Sequence, residues 1–197
     1  MILNTMQQRV VASKKRITVI TAQAGSGSST ALLYALIEVA KNDPTGLVLF
    51  CRATDIQSRN QAEIFAESIP NARYSPRSQI LTVRVGLTRK VKIKFVDSRY
   101  HFNDSYVSAI AFDHNIDKDV LRKVLLVAGR IYINDWSKNI AETWGIDLGL
   151  VVPVGDGLDF IPAVENIKGL TVDNPGLPQQ YIDCIKSAPP YLKSTDL

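Results

Sequence analysis

The sequence predicts an α/β fold in which helices flank a mostly parallel β-sheet that also contains an antiparallel hairpin. Three observations predict it. Continuous apolar runs, typical of strands buried on both faces, alternate with segments of helical period along the chain. Residues 81–95 instead alternate apolar and polar side chains around Gly86, which is typical of a hairpin with one solvated face. A length of 197 residues, 46% of them hydrophobic, suits one globular domain with a short appendage.

The N-terminal elements follow from local patterns. Arg16–Thr21 is a predicted buried strand, and after a Gly/Ser-rich turn Thr30–Lys41 is apolar nearly all round, as expected of a helix packed on a sheet. Leu47–Cys51 is the next apolar run. Asp55 can accept the free amide protons of a first helical turn, so it is the predicted N-cap of a helix that runs to Ser68.

The remaining predicted strands are the two arms of the hairpin, two apolar runs and a run that contains a proline. They are Leu81–Val85, Val91–Phe95, Val107–Phe112, Arg130–Asn134 and Leu148–Val154. Pro153 ends the last of them or places it at a sheet edge. Apolar residues at helical spacing between residues 116 and 125 predict a helix, and Gly129 is its predicted stop. We expect residues 1–165 to form the domain and residues 166–197, rich in turn-forming residues, to form a linker or helical arm.

Composition argues against two classes of protein. Two cysteines are too few for a disulfide framework, and Cys51 lies in an apolar run where a buried thiol is usual. No apolar segment is long enough for a membrane span, and the N-terminus lacks the apolar block of a signal peptide. We therefore expect a soluble cytoplasmic protein without a membrane partner. The net charge of +4 is compatible with nucleic-acid binding without requiring it.

The turn after the first strand has the composition of a phosphate-binding loop. Residues 22–30 read AQAGSGSST between a strand and a helix, as a Walker A motif requires. Glycines let backbone amides point inward, and the helix presents its positive end to an anion. The predicted nucleotide-binding residues are Gly25, Ser26, Gly27, Ser28, Ser29 and Thr30, with Ser29 at the Mg²⁺-binding hydroxyl position.

The lysine of that motif is absent, because Ser28 stands in its place. A lost charge at the β- and γ-phosphates weakens nucleotide binding and, more severely, stabilisation of the transition state. ATP and Mg²⁺ are therefore candidate ligands with weak expected binding. The alternative is a Gly/Ser-rich turn that binds no phosphate.

A second acidic element follows the strand SAIAF. Asp113 ends that apolar strand, as the Mg²⁺-binding aspartate of a Walker B motif does. His114 occupies the position of the second acidic residue that polarises water; an imidazole can act as a base but is not the usual choice. The alternatives are a helix-capping carboxylate for Asp113 and a loop residue for His114.

These segments together resemble the ATPase domain of viral terminase large subunits. GSGSST stands where that family usually has GSGKST, LVLFCRATDIQSRNQAEIF is similar to its strand–Arg–helix segment, and a basic hairpin precedes SAIAFDH. DNPGLPQQYIDCIK is similar to the segment that leads out of the domain, so the resemblance covers roughly residues 8–188 in the family's order.

The resemblance implies a P-loop NTPase-like fold of the additional-strand type and a DNA-packaging motor. By that analogy Arg52 is a phosphate-sensing or interface arginine, the alternative being a solvated one, and Asn134 or Asp135 lies near the segment that couples hydrolysis to movement. We expect no nuclease domain, for which Asp156 and Asp159 in a Gly-rich loop are no substitute.

Three functions remain open at this point. The first is a non-catalytic terminase-like protein that binds the packaging motor, the small terminase subunit, the portal or double-stranded DNA. The second is a working ATPase that takes a lysine from a neighbouring subunit or from residues 14–16. The third is a DNA-binding module that uses no nucleotide but binds phosphates through the hairpin cations. Those cations are Arg84, Arg89, Lys90, Lys92 and Lys94, which can equally serve to keep an exposed strand soluble.

Overall fold

The computed structural model describes residues 3–21, 26–102, 106–114, 116–134 and 158–162. In these ranges four helices flank one eight-stranded sheet. The helices are α1 (Thr5–Ala12), α2 (Ser28–Asn42), α3 (Asp55–Ser68) and α4 (Lys118–Val127). The strands are β1 (Ile17–Thr21), β2 (Leu47–Arg52), β3 (Ala72–Ser75), β4 (Ile80–Val85), β5 (Arg89–Asp97), β6 (Val107–Phe112), β7 (Ala128–Asn134) and β8 (Leu158–Pro162).

The sheet is mostly parallel, as predicted. Its strand order is β3-β4-β5-β2-β6-β7-β1-β8, and every neighbouring pair from β5 to β8 is parallel. Strand β4 is antiparallel to both β3 and β5, so the predicted hairpin is confirmed and extended by one strand. Strand β7 lies between β1, which leads into the Gly/Ser-rich loop, and β6, which leads to Asp113. This inserted strand is what the additional-strand prediction requires.

Two local predictions were wrong at helix ends. Thr54, not Asp55, is the N-cap of α3: its backbone is extended, and its hydroxyl accepts a hydrogen bond from the Gln57 amide at 3.3 Å. Gly129 does not stop α4, because it lies inside β7, which follows the helix directly. A Cβ atom at Gly129 would come within 2.4 Å of the Tyr106 hydroxyl and 3.1 Å of the Ser108 carbonyl oxygen, so a larger residue there would have to displace the exposed Tyr106 side chain.

Three elements were not predicted: α1, β3 and β8. Helix α1 starts with a reciprocal capping box, in which the Gln7 amide donates to Asn4 Oδ1 (2.8 Å) and the Asn4 amide donates to Gln7 Oε1 (3.0 Å). Strand β8 pairs with β1, so Asp159 lies in a strand opposite Thr18 and not in the expected loop. The predicted strand at residues 148–154, Asp156 and the arm at residues 166–197 lie outside the described residues.

Alternate residues of the central strands enter two separate cores. Val48 and Phe50 of β2 belong to the core under α2 and α3, whereas Leu49 and Cys51 face the core that contains α4. Cys51 is 1% exposed, so the predicted buried thiol is confirmed, and burial raises the pKa of this thiol to about 12. No helix in the described part of the chain is long and apolar enough to cross a membrane.

Candidate nucleotide-binding site

Four polar side chains meet where neighbouring parallel strands end. Arg52 ends β2, Asp113 follows β6, Asn134 ends β7, and Ser28 begins α2 beyond the end of β1. Because β2, β6, β7 and β1 are adjacent in that order, their carboxyl ends lie side by side at one edge of the sheet. Ligands of open parallel sheets bind outside such an edge. We name these four residues the Asp113 cluster.

Hydrogen bonds connect the Asp113 cluster from end to end. The Asn134 amide Nδ2 donates to Ser28 Oγ at 3.0 Å and to Asp113 Oδ1 at 2.7 Å. Arg52 Nη1 donates to Asp113 Oδ2 in an ion pair. The Asp113 side chain is 0% exposed, and that of Arg52 is 15% exposed. Both carboxylate oxygens of Asp113 are therefore engaged by side-chain donors, one of them charged.

The loop that precedes α2 is described only from Ser26 onward, so Gly25 lies outside the described residues. Gly27 is the N-cap of α2 with a φ of 78°, a left-handed backbone that favours glycine. The Gln7 side chain donates to the Gly27 carbonyl oxygen at 3.2 Å, and a Cβ atom at Gly27 would lie 2.4 Å from Gln7 Nε2. Helix α1 thus holds the end of the loop.

Of the predicted loop residues, it is Ser28 that the structure joins to Asp113, through Asn134. Ser29 and Thr30 lie half-buried in the first turn of α2, outside the Asp113 cluster. The hydroxyl of Ser26 is buried and has no hydrogen-bond partner among the described residues. The position that would carry the Walker A lysine is therefore filled by an uncharged hydroxyl that accepts a hydrogen bond.

His114 lies beside the Asp113 cluster, half-buried, with Nδ1 3.2 Å from the Cys51 carbonyl oxygen. A carbonyl oxygen only accepts, so Nδ1 carries the proton and Nε2 keeps its lone pair. Burial is the largest influence on the His114 pKa and lowers it, which keeps the imidazole neutral near pH 7. The side chain can accept a proton from water but supplies no negative charge.

Strand register places the hairpin cations on both sides of the sheet. Arg84 is paired with Lys90, and Thr82 lies between Arg73 of β3 and Lys92 of β5. We name the exposed side chains on this side of the sheet the basic face: Arg73, Arg84, Lys90 and Lys92. Lys94 lies on the same side of the sheet but is half-buried, and its ammonium group lies 5.0 Å from the centre of the Tyr100 ring. Arg89, paired with Val85, lies on the other side of the sheet and is exposed at the start of β5.

Comparison with known structures tests the fold directly. The chain overlays on the ATPase domain of a Thermus phage large terminase with a TM-score of 0.51, covering 82% of this chain and 81% of that one at 13% identity. The fold is that of a large-terminase ATPase domain. The family resemblance inferred from the sequence is thereby confirmed at the level of the fold. No protein-family model and no curated protein sequence matches the chain.

Two further solved structures show weaker similarity. The Phi-28 gp11 DNA packaging motor has a TM-score of 0.46 at 12% identity, covering 89% of this chain and 62% of that chain. The large terminase of a thermophilic bacteriophage in complex with ADP has a TM-score of 0.45 at 12% identity, covering 67% of this chain and 38% of that chain.

Two residues that contribute to the loop and the basic face were not predicted from the sequence. Gln7 supports the loop from a helix that was not predicted, although the Asn4-x-x-Gln7 spacing is the signature of a capping box. Arg73 joins the basic face from the short strand β3, whose pairing with β4 no local pattern announces. Asn134, placed by analogy near a coupling segment, lies at the centre of the Asp113 cluster.

Proposed function

We propose that this protein is a terminase-fold ATPase relative that has lost efficient ATP hydrolysis and acts in or on viral DNA packaging, as a regulator or competitor of the motor. The Asp113 cluster carries the proposal. Its loop position for a lysine holds Ser28, and its acidic residue is paired with Arg52 instead of facing an open metal site. The fold is retained, while the lysine and the second carboxylate that phosphoryl transfer uses are replaced by Ser28 and His114.

The chemistry of phosphoryl transfer supports the loss of activity. The transition state is stabilised by cations on the phosphate oxygens and by a residue that orients the attacking water. Ser28 supplies no cation, and His114, neutral and hydrogen-bonded to the Cys51 carbonyl, takes the place of a carboxylate. Removal of one preorganised stabilising group typically costs about 10²–10³ in rate, so two such losses leave little turnover.

The extent of the fold supports a role beside a motor. The overlay spans 81% of a terminase ATPase domain, so the chain can occupy the space of such a domain within an assembly. The partners proposed are components of the packaging motor, among them the small terminase subunit, or the portal, in the cytoplasm of the host cell. Weak binding of ATP at the loop is part of this proposal.

Steady-state ATP turnover tests it. We expect the unmodified chain with Mg²⁺-ATP to show only background turnover, and the double variant Ser28→Lys/His114→Glu to exceed it by at least about 100-fold, because both missing charges return. Ser78→Lys, at an exposed position, is the matched control and should change nothing. Robust turnover by the unmodified chain would refute the proposal in favour of an active motor subunit that obtains its lysine elsewhere.

A second candidate function, binding of the DNA backbone, is favoured by the basic face. Between Pro70 and Val96 the chain carries seven Lys or Arg residues and no Asp or Glu. Register places four cations together on one exposed side of three strands. Such a surface neutralises phosphates and releases counterions, so its affinity falls steeply with salt.

Fluorescence anisotropy with duplex DNA at low and moderate salt tests this second candidate. The double variant Arg73→Glu/Lys92→Glu should bind at least about tenfold more weakly and with a shallower salt dependence than the unmodified chain. The double variant Arg9→Glu/Lys123→Glu changes charge equally at exposed positions on α1 and α4 and serves as the control. If both double variants bind DNA equally weakly, the effect comes from net charge, and the basic face is not a DNA-binding site.

A further inference from the structure

We infer that Arg52 takes the place of a divalent cation at Asp113, so that ligand binding at the loop does not depend on Mg²⁺. The inference rests on the proposed function in taking the loop as an anion site. It goes further by assigning to a resident side chain the charge that the fold family implies for a metal ion.

The ligand atoms around Asp113 decide whether Mg²⁺ can bind there. Mg²⁺ requires oxygen ligands whose lone pairs point towards it, in near-octahedral geometry. Both oxygens of Asp113 already accept from nitrogen donors, Oδ2 from Arg52 and Oδ1 from Asn134 at 2.7 Å. As arranged, Asp113 offers a divalent cation no oxygen that is free of a nitrogen donor.

The charge of Arg52 also opposes a metal ion at Asp113. Arg52 contributes a permanent positive charge in contact with a carboxylate that is 0% exposed. A second cation at the same carboxylate would meet the repulsion of the guanidinium in a region with little water to screen it. Entry of Mg²⁺ therefore requires Arg52 to move away from Asp113. The buried Arg52–Asp113 ion pair would then be lost in exchange for a metal–carboxylate contact.

The Asp113 cluster still has polar atoms to offer a ligand. Arg52 Nε is buried and, among the described residues, has no hydrogen-bond partner, and the same holds for Ser26 Oγ in the loop. Both are donors, and an unmatched N–H on a guanidinium is suited to an anionic oxygen. Asn134 Oδ1 is an unmatched acceptor in the same cluster. A guanidinium that neutralises Asp113 with one nitrogen and keeps another without a partner supplies the positive charge that a metal ion would otherwise bring to Asp113.

Mn²⁺ binding to the full chain, measured by calorimetry without nucleotide, tests the inference. The unmodified chain should show no site that depends on Asp113, whereas Arg52→Gln should gain one whose affinity for Mn²⁺ is at least tenfold above any residual Mn²⁺ binding by the unmodified chain. The double variant Arg52→Gln/Asp113→Asn should lose it again. Arg52→Lys keeps the charge and should exclude Mn²⁺. Arg59→Gln removes an exposed arginine paired with Asp55 and should behave like the unmodified chain.

Thermal unfolding keeps the test decisive if Arg52→Gln folds poorly. Mn²⁺ should raise the melting temperature of that variant, or restore its folding, and leave the unmodified chain unchanged, because a ligand stabilises only the state that binds it. A simple structural ion pair would give a destabilised variant that Mn²⁺ neither binds nor rescues, and this result would overturn the inference. So would an Asp113-dependent Mn²⁺ site in the unmodified chain.

Measurements of ATP binding and ATP turnover distinguish a failure of this inference from a failure of the proposed function. ATP binding that tightens tenfold or more in Mg²⁺ compared with EDTA would overturn the role of Arg52, even in a chain that fails to hydrolyse ATP. Turnover by the unmodified chain would refute the proposed loss of hydrolysis, yet the Mn²⁺ results on Arg52→Gln would still decide what Arg52 does.

Discussion

Replacing Arg52 with glutamine is expected to lower the free energy of unfolding in metal-free buffer by about 3 kcal/mol. Asp113 is 0% exposed, and without the guanidinium its carboxylate would keep, among the described residues, the Asn134 hydrogen bond alone. Breaking a buried ion pair by removing one partner typically costs about 3–5 kcal/mol, because the remaining charge is left uncompensated. The lower end applies because 15% of the Arg52 side chain is exposed and solvent screens the pair.

A double-mutant cycle isolates this pair from other effects of the substitution. Asp113→Asn removes the charge that Arg52 compensates, so the double variant Arg52→Gln/Asp113→Asn should recover a large part of the loss, with a coupling of about 2 kcal/mol. Urea denaturation of the four proteins measures it. Arg59→Gln, which breaks an exposed pair, should cost less than about 1 kcal/mol. Strict additivity of the two site variants would contradict a direct pair.

The sequence predicted the parallel part of the fold because burial on both faces leaves a local trace. The runs LVLFC and VSAIAF are apolar at every position or nearly so, and both proved to be central strands. The hairpin was found by its alternation, since only one of its faces is buried. Strand β8 was missed because a five-residue segment becomes a strand only through its pairing with β1, about 140 residues earlier in the chain.

The site was predictable as separate positions but not as an arrangement. Motif order pointed to Ser28, Asp113 and Arg52 one at a time. Their connection depends on β7, which brings Asn134 between the loop and Asp113, and on β2 lying beside β6. Arg52 and Asp113 are 61 residues apart, so no local pattern announces their ion pair. Sheet topology supplies this information, and a single sequence does not display it.

Replacing Phe50 with alanine is expected to lower the free energy of unfolding by about 3–5 kcal/mol. The ring is 0% exposed; it stacks on Phe95 with a centroid distance of 5.0 Å and forms a T-shaped pair with Phe65 at 5.6 Å. Its loss removes the transfer free energy of a large side chain and leaves a cavity that the neighbouring rings fill only in part.

Denaturation of matched variants separates this cavity from a generic loss of apolar surface. Leu87→Ala truncates a side chain that is 96% exposed in the hairpin turn and should change stability by no more than about 0.5 kcal/mol. Phe50→Leu keeps much of the volume and should fall between the two. Phe50 and Arg52 share strand β2, so β2 joins the packed aromatic core to the Asp113 cluster. A cost below about 1 kcal/mol for Phe50→Ala would mean that this strand is not anchored by the ring cluster, and that the Asp113 cluster is held by its own hydrogen bonds instead.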